Sequence, residues 1–330
     1  MDMGRCGRKD GTDYHASGSR AQRENSPLMI GITMGDPAGI GPEVILKSLR
    51  GVSFRQIRLI GSRRVFEQEQ ARLGTKFNLD KLIDDVVGKP GRYSMGEVQK
   101  RCGQAALKSL DAGIELLKHR KLAALVTAPV SKQALRLAGF RWPGQTELLA
   151  HRLGAKKYAM LAYTRKFKAV LVTTHLPLRY TSRYINASAI AEKAALIGEF
   201  LKRQGIKNPR VGIMAYNPHG FEFSVGEEKR IQDGIRRARR KGINATGPIP
   251  SDALFARLSE FDGFVAMYHD QAMIPAKIYG IKSGGVNVTL GLGRIRTSPL
   301  HGVAFDIAGK DKASALSMQA AIRLAQKLVR

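Results

Sequence analysis

The sequence predicts an α/β protein in which a largely parallel sheet carries helices on both faces. Short runs of apolar and β-branched residues alternate with longer segments whose apolar residues recur every three or four positions. This alternation is typical of parallel sheets, because each return to the same edge of the sheet needs a crossover connection. At 330 residues the chain can form two domains or one large α/β unit.

The first half of the chain begins with a predicted strand at 28–33, followed by the glycine-rich stretch MGDPAGIG and a helix that starts near Pro42. Proline suits the first turn of a helix, where its missing donor costs nothing. The glycines match neither the Walker lysine-serine pattern nor the GxGxxG fingerprint, so they indicate only a tight turn. A second strand at 57–61 and a helix at 63–73 follow.

A long helix is predicted at 94–118, because Ser94 and Glu97 form a capping box ahead of apolar residues at helical spacing. A strand at 122–127 then leads into the stretch TAPVSK. Thr146 is predicted to cap the next helix. The alternative is that Gln145 and Thr146 help to bind an anion, because the amino end of a helix is suited to holding one.

In the second half, four apolar runs have the composition of buried strands, and three longer segments have helical periodicity. The strands are predicted at 169–174, 211–216, 263–268 and 286–290, and the helices at 186–204, 227–241 and 315–329. Pro275 is expected to lie in a loop between His269 and Lys277. Arg294 and Arg296 are expected to precede a turn formed by Thr-Ser-Pro and to suit phosphate contact.

Composition favours an ordinary soluble globular protein, with 43% hydrophobic and 7% aromatic residues and no apolar run of membrane-spanning length. Residues 1–26 lack apolar periodicity and are predicted to be a disordered tail. Cys6 and Cys102 make no disulfide framework, which favours a cytoplasmic location. The formal net charge of +28 would attract phosphate-bearing partners, but no nucleic-acid motif accompanies it, so we expect no specific nucleic acid.

Three of the seven histidines occupy the same kind of position. His175, His219 and His269 each stand at or just beyond the carboxyl end of a predicted strand, which is where open α/β sheets bind their ligands. Imidazoles gathered at one edge would suit zinc or a related divalent metal. The alternative is that each histidine merely ends its strand or bonds a nearby carbonyl.

Ten motifs follow one another from about residue 28 to the end of the chain. They are MGDPAGIGPE, TAPVSK, PGQTE, TTHLPL, NPHG, GPIPSD, MYHDQ, GVNVTLGL, IRTS and HGVAFDIAGK. Together they resemble the 4-hydroxythreonine-4-phosphate dehydrogenase family, the NAD-dependent enzymes of vitamin B6 synthesis. The motifs are long and specific, and the resemblance covers the chain from about Leu28 to its end.

The resemblance implies an isocitrate/isopropylmalate dehydrogenase-like α/β fold, in which two α/β/α subdomains flank a cleft. It assigns 27–132 and 283–330 to a cofactor-side subdomain and 133–282 to a metal and dimerisation subdomain. It further implies a homodimer with shared active sites and the binding of NAD, or NADP, without a Rossmann loop.

The family's metal ligands fall on His175, His219 and His269, which implies one divalent ion per site, either zinc, magnesium or cobalt. Its contacts to a phosphorylated small-molecule substrate are polar or cationic. They fall on Gln145, Thr146, Lys277, Asn287 and Arg296. Lys277 and His269 are the implied catalytic residues, with Lys277 as a proton carrier.

The segment HGVAFDIAGK is also similar to the adenine-binding loop of isopropylmalate dehydrogenases. This similarity suggests that His301 and Asp306 lie near the cofactor. The implied reaction is oxidation of 4-phosphohydroxy-L-threonine at C3 followed by decarboxylation. A metal would stabilise the developing alkoxide while hydride leaves for NAD.

Two departures from the family pattern bear on the substrate. The family usually shows GHTE where this chain has GQTE, so Gln145 replaces an imidazole. The NPHG motif continues as FEFSVGEE in place of a glycine-rich run. The alternatives are therefore a related dehydrogenase acting on a four-carbon sugar-acid 4-phosphate or a cyclic diol carboxylate, and a metal-dependent hydrolase or aldolase that uses no NAD.

Overall fold

The computed structural model describes residues 29–329, so the tail predicted at 1–26 lies outside the described residues. Within this range the chain is an α/β structure, which confirms the predicted fold class. Its strands are β1 (Ile30–Thr33), β2 (Ile57–Gly61), β3 (Ile83–Asp85), β4 (Ala124–Thr127), β5 (Ala159–Tyr163), β6 (Lys168–Leu171), β7 (Arg210–Met214), β8 (Asn244–Ile249), β9 (Gly263–Ala266), β10 (Val286–Leu290) and β11 (Ile295–Pro299). Its helices are α1 (Gly41–Leu49), α2 (Arg63–Leu73), α3 (Lys100–Lys118), α4 (Lys132–Leu137), α5 (Gln145–Arg152), α6 (Leu178–Thr181), α7 (Ala187–Arg203), α8 (Glu227–Arg240), α9 (Ser251–Ala256), α10 (His269–Gly280) and α11 (Leu316–Val329).

All eleven strands form one sheet in the order β3-β2-β1-β4-β11-β10-β5-β6-β9-β7-β8. The five strands from β3 to β11 are parallel to one another, and so are the four from β6 to β8. Only β10 and β5, in the middle, create antiparallel pairs. The predicted parallel character is confirmed except there, because the β5–β6 and β10–β11 connections are too short for a crossover.

Helices cover both faces of the sheet, so its central strands are buried on both sides. Every residue of β1, β4 and β9 is buried, which explains why these strands appear in the sequence as continuous apolar runs rather than alternating ones. The predicted strands at 57–61 and 286–290 and the helix at 63–73 are confirmed with the same bounds. The division into subdomains after residues 132 and 282 stays a prediction.

The predicted start of the long helix was wrong. α3 begins at Lys100, and Ser94 and Glu97 form no capping box. Instead, the Gln99 side chain accepts from the Ser94 backbone N–H at 3.3 Å and donates to the Ser94 carbonyl at 2.8 Å. Gly96 has a φ of 79°, and its N–H donates to the Ala38 carbonyl. This tertiary bond turns the chain before the helix can begin.

The loop expected around Pro275 is also a helix. α10 runs through Pro275 from His269 to Gly280, although proline removes one backbone hydrogen bond from a helix interior. The Gln271 side chain anchors the first turn by accepting from the Met267 N–H and donating to the Ala215 carbonyl, each at 2.8 Å. His269 and Lys277 therefore lie on one rigid element, about two turns apart.

The Thr-Ser-Pro turn expected after Arg294 and Arg296 is absent, because these residues belong to β11, which pairs with β4 and β10. Arg296 points into the protein and is only 3% exposed. Arg294 precedes the strand, and its guanidinium bonds the carbonyls of Leu117 and Gly293. Both arginines were expected to suit phosphate contact, but only Arg296 is placed for it in the structure, because Arg294 donates to backbone carbonyls.

Asp36, in the turn after β1, is fully buried with one carboxylate oxygen unsatisfied. Its Oδ1 accepts from the Ala38 N–H at 2.9 Å, whereas Oδ2 has no hydrogen-bond partner within the described chain. Burial raises the pKa of Asp36 to about 6, against the opposing effect of hydrogen bonds from the Ala38 and Ser131 backbones. The ionised carboxylate is therefore a cost to the folded state at neutral pH.

Asp36→Asn should stabilise the protein, and more so at higher pH. Because the folded pKa is raised, the stability of the wild type is greatest below the unfolded value and falls as pH rises through about 6. A rise of about two units in the pKa of Asp36 corresponds to a stability advantage of the variant of about 3 kcal/mol at pH 8, and of much less near pH 4. Denaturant unfolding at several pH values measures this, and a variant advantage that does not grow with pH would contradict it.

Asp311→Asn serves as a control of opposite sign. Asp311 is exposed and pairs with the Lys47 ammonium at 2.7 Å, which holds the pKa of that carboxyl below its usual range. A lowered folded pKa adds stability above the unfolded value and loses it as pH falls. Removing this carboxylate should therefore slightly destabilise the protein at neutral pH.

Candidate active site

A cavity of about 630 Å³ lies across the middle of the sheet. Residues at the carboxyl ends of β4 and β11 line it, together with residues at and beyond the carboxyl ends of β6 and β9, which run in the opposite direction. Eight of the residues predicted for the site line this cavity. They are Gln145, Thr146, His175, His269, Lys277, Asn287, Arg296 and His301. Two others, His219 and Asp306, lie outside it. The fold thus gathers residues from five separate segments around one cavity.

Arg296 is the buried charge at the base of the cavity. Its Nη2 donates to the Thr127 hydroxyl at 2.7 Å and its Nη1 to the Thr289 hydroxyl at 3.1 Å. No carboxylate forms an ion pair with it among residues 29–329, and burial lowers the pKa of this guanidinium to about 10, partly offset by the charge of Glu147. A buried cation without a counter-ion is costly unless an anion arrives.

The start of α5 lies against this guanidinium. Thr146 does not cap the helix, because Gly144 holds the cap position and Thr146 lies inside the first turn. The predicted cap was wrong, since the Thr146 hydroxyl lies 3.4 Å from Nη1 of Arg296 instead. Gln145 Oε1 is 3.5 Å from Nη2 of Arg296. The amino end of α5 and a buried arginine thus face the same space, as the anion-binding alternative expects.

His175 and His269 lie together, with ring centroids 5.9 Å apart. His175 has a lowered pKa, because burial and then the charges of Lys132 and His269 disfavour its protonated form. The Nδ1 atom of His269 lies 2.7 Å from Oδ1 of Asp270. When Nδ1 donates to that carboxylate, Nε2 keeps a free lone pair, which is the usual preparation of a metal-binding histidine. These two imidazoles fit a divalent metal.

His219 does not join this pair within one chain. It adopts a φ of 55°, its side chain is 67% exposed, and its Nδ1 lies 3.4 Å from Oε2 of Glu222. Among the described residues, no group of three or more histidine, cysteine, aspartate or glutamate side chains is placed to hold a metal ion. The assignment of His219 as a third ligand therefore stays a prediction.

Two polar atoms of residues that line the cavity are buried without a partner in the described chain: Oδ1 of Asn287 and Nε2 of His301. Burial also lowers the pKa of His301, whose Nδ1 lies 3.1 Å from the Gly302 carbonyl. Buried polar groups left unsatisfied in a protein wall are typically completed by a ligand or water. Asp306 is exposed, so its proposed cofactor role rests on the sequence resemblance alone.

Sequence reasoning missed the hydroxyls that hold Arg296, although Thr127 is the first residue of the TAPVSK motif. It also missed further cations that line the cavity. They are Lys132, Arg136, Lys156 and Lys193. Lys193 is paired with Glu192 at 2.7 Å. The position of TAPVSK at the carboxyl end of a strand was the signal that could have identified Thr127 and Lys132.

Comparison with known proteins identifies the family of the chain. The family described as "Pyridoxal phosphate biosynthetic protein PdxA" matches residues 42–325. A 4-hydroxythreonine-4-phosphate dehydrogenase from a Sulfurihydrogenibium species is 38% identical, over 92% of this chain and 99% of its own. A D-threonate 4-phosphate dehydrogenase from Salmonella typhimurium is also 38% identical, over 91% of this chain and 98% of its own.

A solved structure shares the fold over almost the whole chain. The crystal structure of 4-hydroxythreonine-4-phosphate dehydrogenase from Klebsiella pneumoniae superposes with a TM-score of 0.81 at 37% identity. The superposition covers 93% of this chain and 99% of that one. The chain belongs to the PdxA family of pyridoxal phosphate biosynthetic proteins.

Proposed function

We propose that the chain oxidises 4-phosphohydroxy-L-threonine at C3 with NAD, or NADP, and that the product loses carbon dioxide to give 3-amino-2-oxopropyl phosphate for pyridoxine 5'-phosphate synthesis. Family membership supports the oxidoreductase class. The single observation that carries the substrate class is Arg296, a buried guanidinium in the cavity wall with hydroxyl partners but no counter-ion among the described residues.

The charge of the cavity favours a substrate with phosphate and carboxylate groups. Six cationic side chains line it. They are Lys132, Arg136, Lys156, Lys193, Lys277 and Arg296. Two acids, Glu147 and Glu192, line it as well, and Glu192 is paired with Lys193. The excess of positive charge raises the local concentration of a small polyanion. Arg296 and the amino end of α5 hold its oxygens at the base of the cavity.

A divalent metal, zinc, magnesium or cobalt, fits His175 and His269, where it would supply a Lewis acid beside the substrate hydroxyl. Asp270 fixes the orientation of the His269 ring. Lys277 follows on the same helix and also lines the cavity. We assign to Lys277 the transfer of the hydroxyl proton, and to Asn287 a hydrogen bond that orients the substrate.

The nicotinamide cofactor, which would accept the hydride, is assigned to the wall formed by His301 and the segment that leads to Asp306. Nε2 of His301 has no partner within residues 29–329, and it supports this assignment because it offers a buried polar contact in the same cavity as the substrate residues. Asp306 is exposed on the same segment, in a position open to a ribose or adenine group.

We further assign a homodimer with shared active sites, because exposed apolar side chains follow each of the three histidines. After His175 these are Leu176, Leu178, Tyr180 and Tyr184; after His219, Phe221, Phe223 and Val225; and after His269, Ile274, Ile278 and Ile281. Exposed apolar surface of this extent is typical of protein interfaces. A second copy would cover it and would bring His219 to a cavity that already holds the other two histidines.

The location assigned to this dimer is the cytoplasm, as the low cysteine content suggests. Among the described residues, the helices are all too short or too polar to cross a bilayer.

A second candidate is a dehydrogenase acting on a four-carbon sugar-acid 4-phosphate. Gln145 favours it, because this amide replaces the family's imidazole beside Arg296 and cannot titrate near neutrality. The D-threonate 4-phosphate dehydrogenase among the relatives points the same way. The scarcity of unpaired acids in the cavity also suits a substrate with a hydroxyl rather than an ammonium at C2.

Assays of the wild type and Gln145→His against phosphohydroxythreonine and erythronate 4-phosphate distinguish the two candidates. For the first candidate, NADH absorbance should appear with phosphohydroxythreonine, and Gln145→His should retain that activity with a new ionisation near ~6.5 in the pH profile. A wild-type kcat/KM that favours erythronate phosphate by more than about tenfold, or 1.4 kcal/mol, would select the second. Chelator-sensitive hydrolysis without NADH would overturn both.

A further inference from the structure

A second cavity of about 620 Å³ is lined only by residues between Pro37 and Met95 and shares no lining residue with the active-site cavity. Its walls are one face of α2, the start of α1 and the segment that follows β3. Arg64 and Gln68 line it from α2, and Lys89, Arg92 and Tyr93 line it from the segment after β3. Neither the sequence motifs nor the proposed reaction uses these residues.

The charge in this second cavity is positive and largely uncompensated. Arg72 forms ion pairs with Glu69 and with Glu43, and its distance to the Glu43 carboxylate is 3.2 Å. The charge of Arg72 is therefore balanced by carboxylates. Among the residues that the structure describes, Glu69 is the one acid in the lining. Arg64, Lys89 and Arg92 take part in none of the ion pairs found within residues 29–329.

Arg64, Lys89 and Arg92 are exposed side chains around one concave space. The carboxylate in its lining, Glu69, is engaged by Arg72, so the three charges repel one another without a partner among the described residues. We propose that the second cavity binds the phosphate monoester of a small phosphorylated molecule. Arg64 and Arg92 present guanidinium forks that match phosphate oxygens, and Lys89 adds a point charge. Tyr93 supplies a neutral donor, because burial raises the pKa of its hydroxyl to about 12 and keeps it protonated.

The second cavity is connected by packing to the segment assigned to the cofactor. Met95 lines the cavity, and its Cγ lies 3.3 Å from where a Cβ on Gly309 would stand. A Cβ on the next residue, Gly96, would likewise lie 2.7 Å from the Phe305 carbonyl oxygen. The phosphate monoester therefore has two candidate sources. One is the 2'-phosphate of an NADP molecule bound at residues 301–309, and the other is a separate phosphorylated metabolite.

The test variant carries Arg64→Glu and Arg92→Glu, and the control carries Arg237→Glu and Arg240→Glu. The control residues are exposed on α8, take part in no ion pair among the described residues, and give the same change in net charge. Titration calorimetry with inorganic phosphate detects binding anywhere on the protein. Trp142, the single tryptophan, lines the active-site cavity, so its fluorescence reports binding there alone.

The wild type should show a phosphate site that leaves Trp142 fluorescence unchanged. The test variant should bind phosphate at that site about tenfold or more weakly, while the control binds as the wild type does. Absence of a fluorescence-silent site in the wild type, or an equal loss in the control, would overturn the proposal. The titration needs no turnover, so it remains interpretable even if the dehydrogenase assay fails.

Calorimetry with NAD and NADP identifies the source. If the 2'-phosphate occupies the second cavity, the test variant should weaken NADP binding and leave NAD binding unchanged. If a separate metabolite occupies it, both dinucleotides should bind the test variant normally, with only the phosphate site lost. Equal weakening of NAD and NADP would overturn the proposal, because it would place a part common to both dinucleotides in the cavity.

Discussion

Arg296→Met should abolish most of the activity while leaving the protein at least as stable as the wild type. Truncating one partner of a buried, hydrogen-bonded charge pair costs about 2–5 kcal/mol, which corresponds to roughly thirtyfold to several thousandfold in kcat/KM. In the absence of substrate, however, this guanidinium has no counter-ion among the described residues. Replacing an uncompensated buried charge by an apolar side chain of similar volume is neutral or stabilising.

The combination of lost activity and retained stability separates substrate binding from a structural role. The loss of the hydrogen bonds to Thr127 and Thr289 is common to both cases. A purely structural arginine would contribute net stability, so its replacement would lower the free energy of unfolding together with kcat/KM. Steady-state kinetics and denaturant unfolding of the same preparation measure both quantities. A variant that keeps wild-type kcat/KM would remove Arg296 from the substrate site.

Arg294→Met is the matched control for this experiment. Arg294 lies two residues away, and its guanidinium donates to the backbone carbonyls of Leu117 and Gly293, not to a cavity residue. Its replacement should change kcat/KM by less than about twofold, since surface substitutions usually alter free energies by under ~0.5 kcal/mol.

Local patterns in the sequence located most of the secondary structure, and they failed where a distant contact controls the backbone. The run at 57–61 is apolar and bounded by turns, so its strand needed no other information. The helix expected from Ser94 starts six residues later, because Gly96 bonds the carbonyl of Ala38, which is far away in sequence. Pro275 stays helical because the Gln271 side chain anchors the helix to a neighbouring strand end.

The site was predictable only as a set of residues, not as a set of contacts. A strand-end position placed His175 and His269 at the cavity, and the sheet order brings β6 beside β9. The bond between Arg296 and Thr127 joins residues 169 positions apart, on strands that become neighbours only in the folded sheet. No local pattern encodes that adjacency, which is why the threonine was missed.

His219 shows where the expectation fails that residues at the carboxyl ends of neighbouring parallel strands converge. Its strand β7 pairs with β9, so the strand-end rule favours convergence with His269. Beyond the strand, however, the chain turns through a left-handed residue at His219 itself, and the imidazole faces Glu222 and solvent. Within the described residues the strand-end rule therefore brings only His175 and His269 together, and a metal-ligand role for His219 stays a prediction.

The largest effect is expected from the histidines themselves. Ala substitution at His175, His219 or His269 should each lower metal affinity by about a hundredfold or more, since even the loss of an outer partner of a ligand costs tenfold to a hundredfold. Metal content after dialysis and turnover with NAD measure the effect. His119→Ala is the control, because His119 is exposed and faces Glu115 on α3. Normal metal content in one of the three variants would remove that residue from the site.

Mixed dimers then test whether the site is shared between subunits. Co-expression of His219→Ala and His269→Ala chains with different tags allows the heterodimer to be purified. If His219 serves the partner's cavity, one of the two sites contains only wild-type histidines, and the heterodimer should recover about half of the wild-type activity. In the heterodimer of His175→Ala and His269→Ala both cavities are damaged, because these two residues face each other within one chain, so it should stay inactive. An inactive first heterodimer would show that His219 does not complete its partner's site.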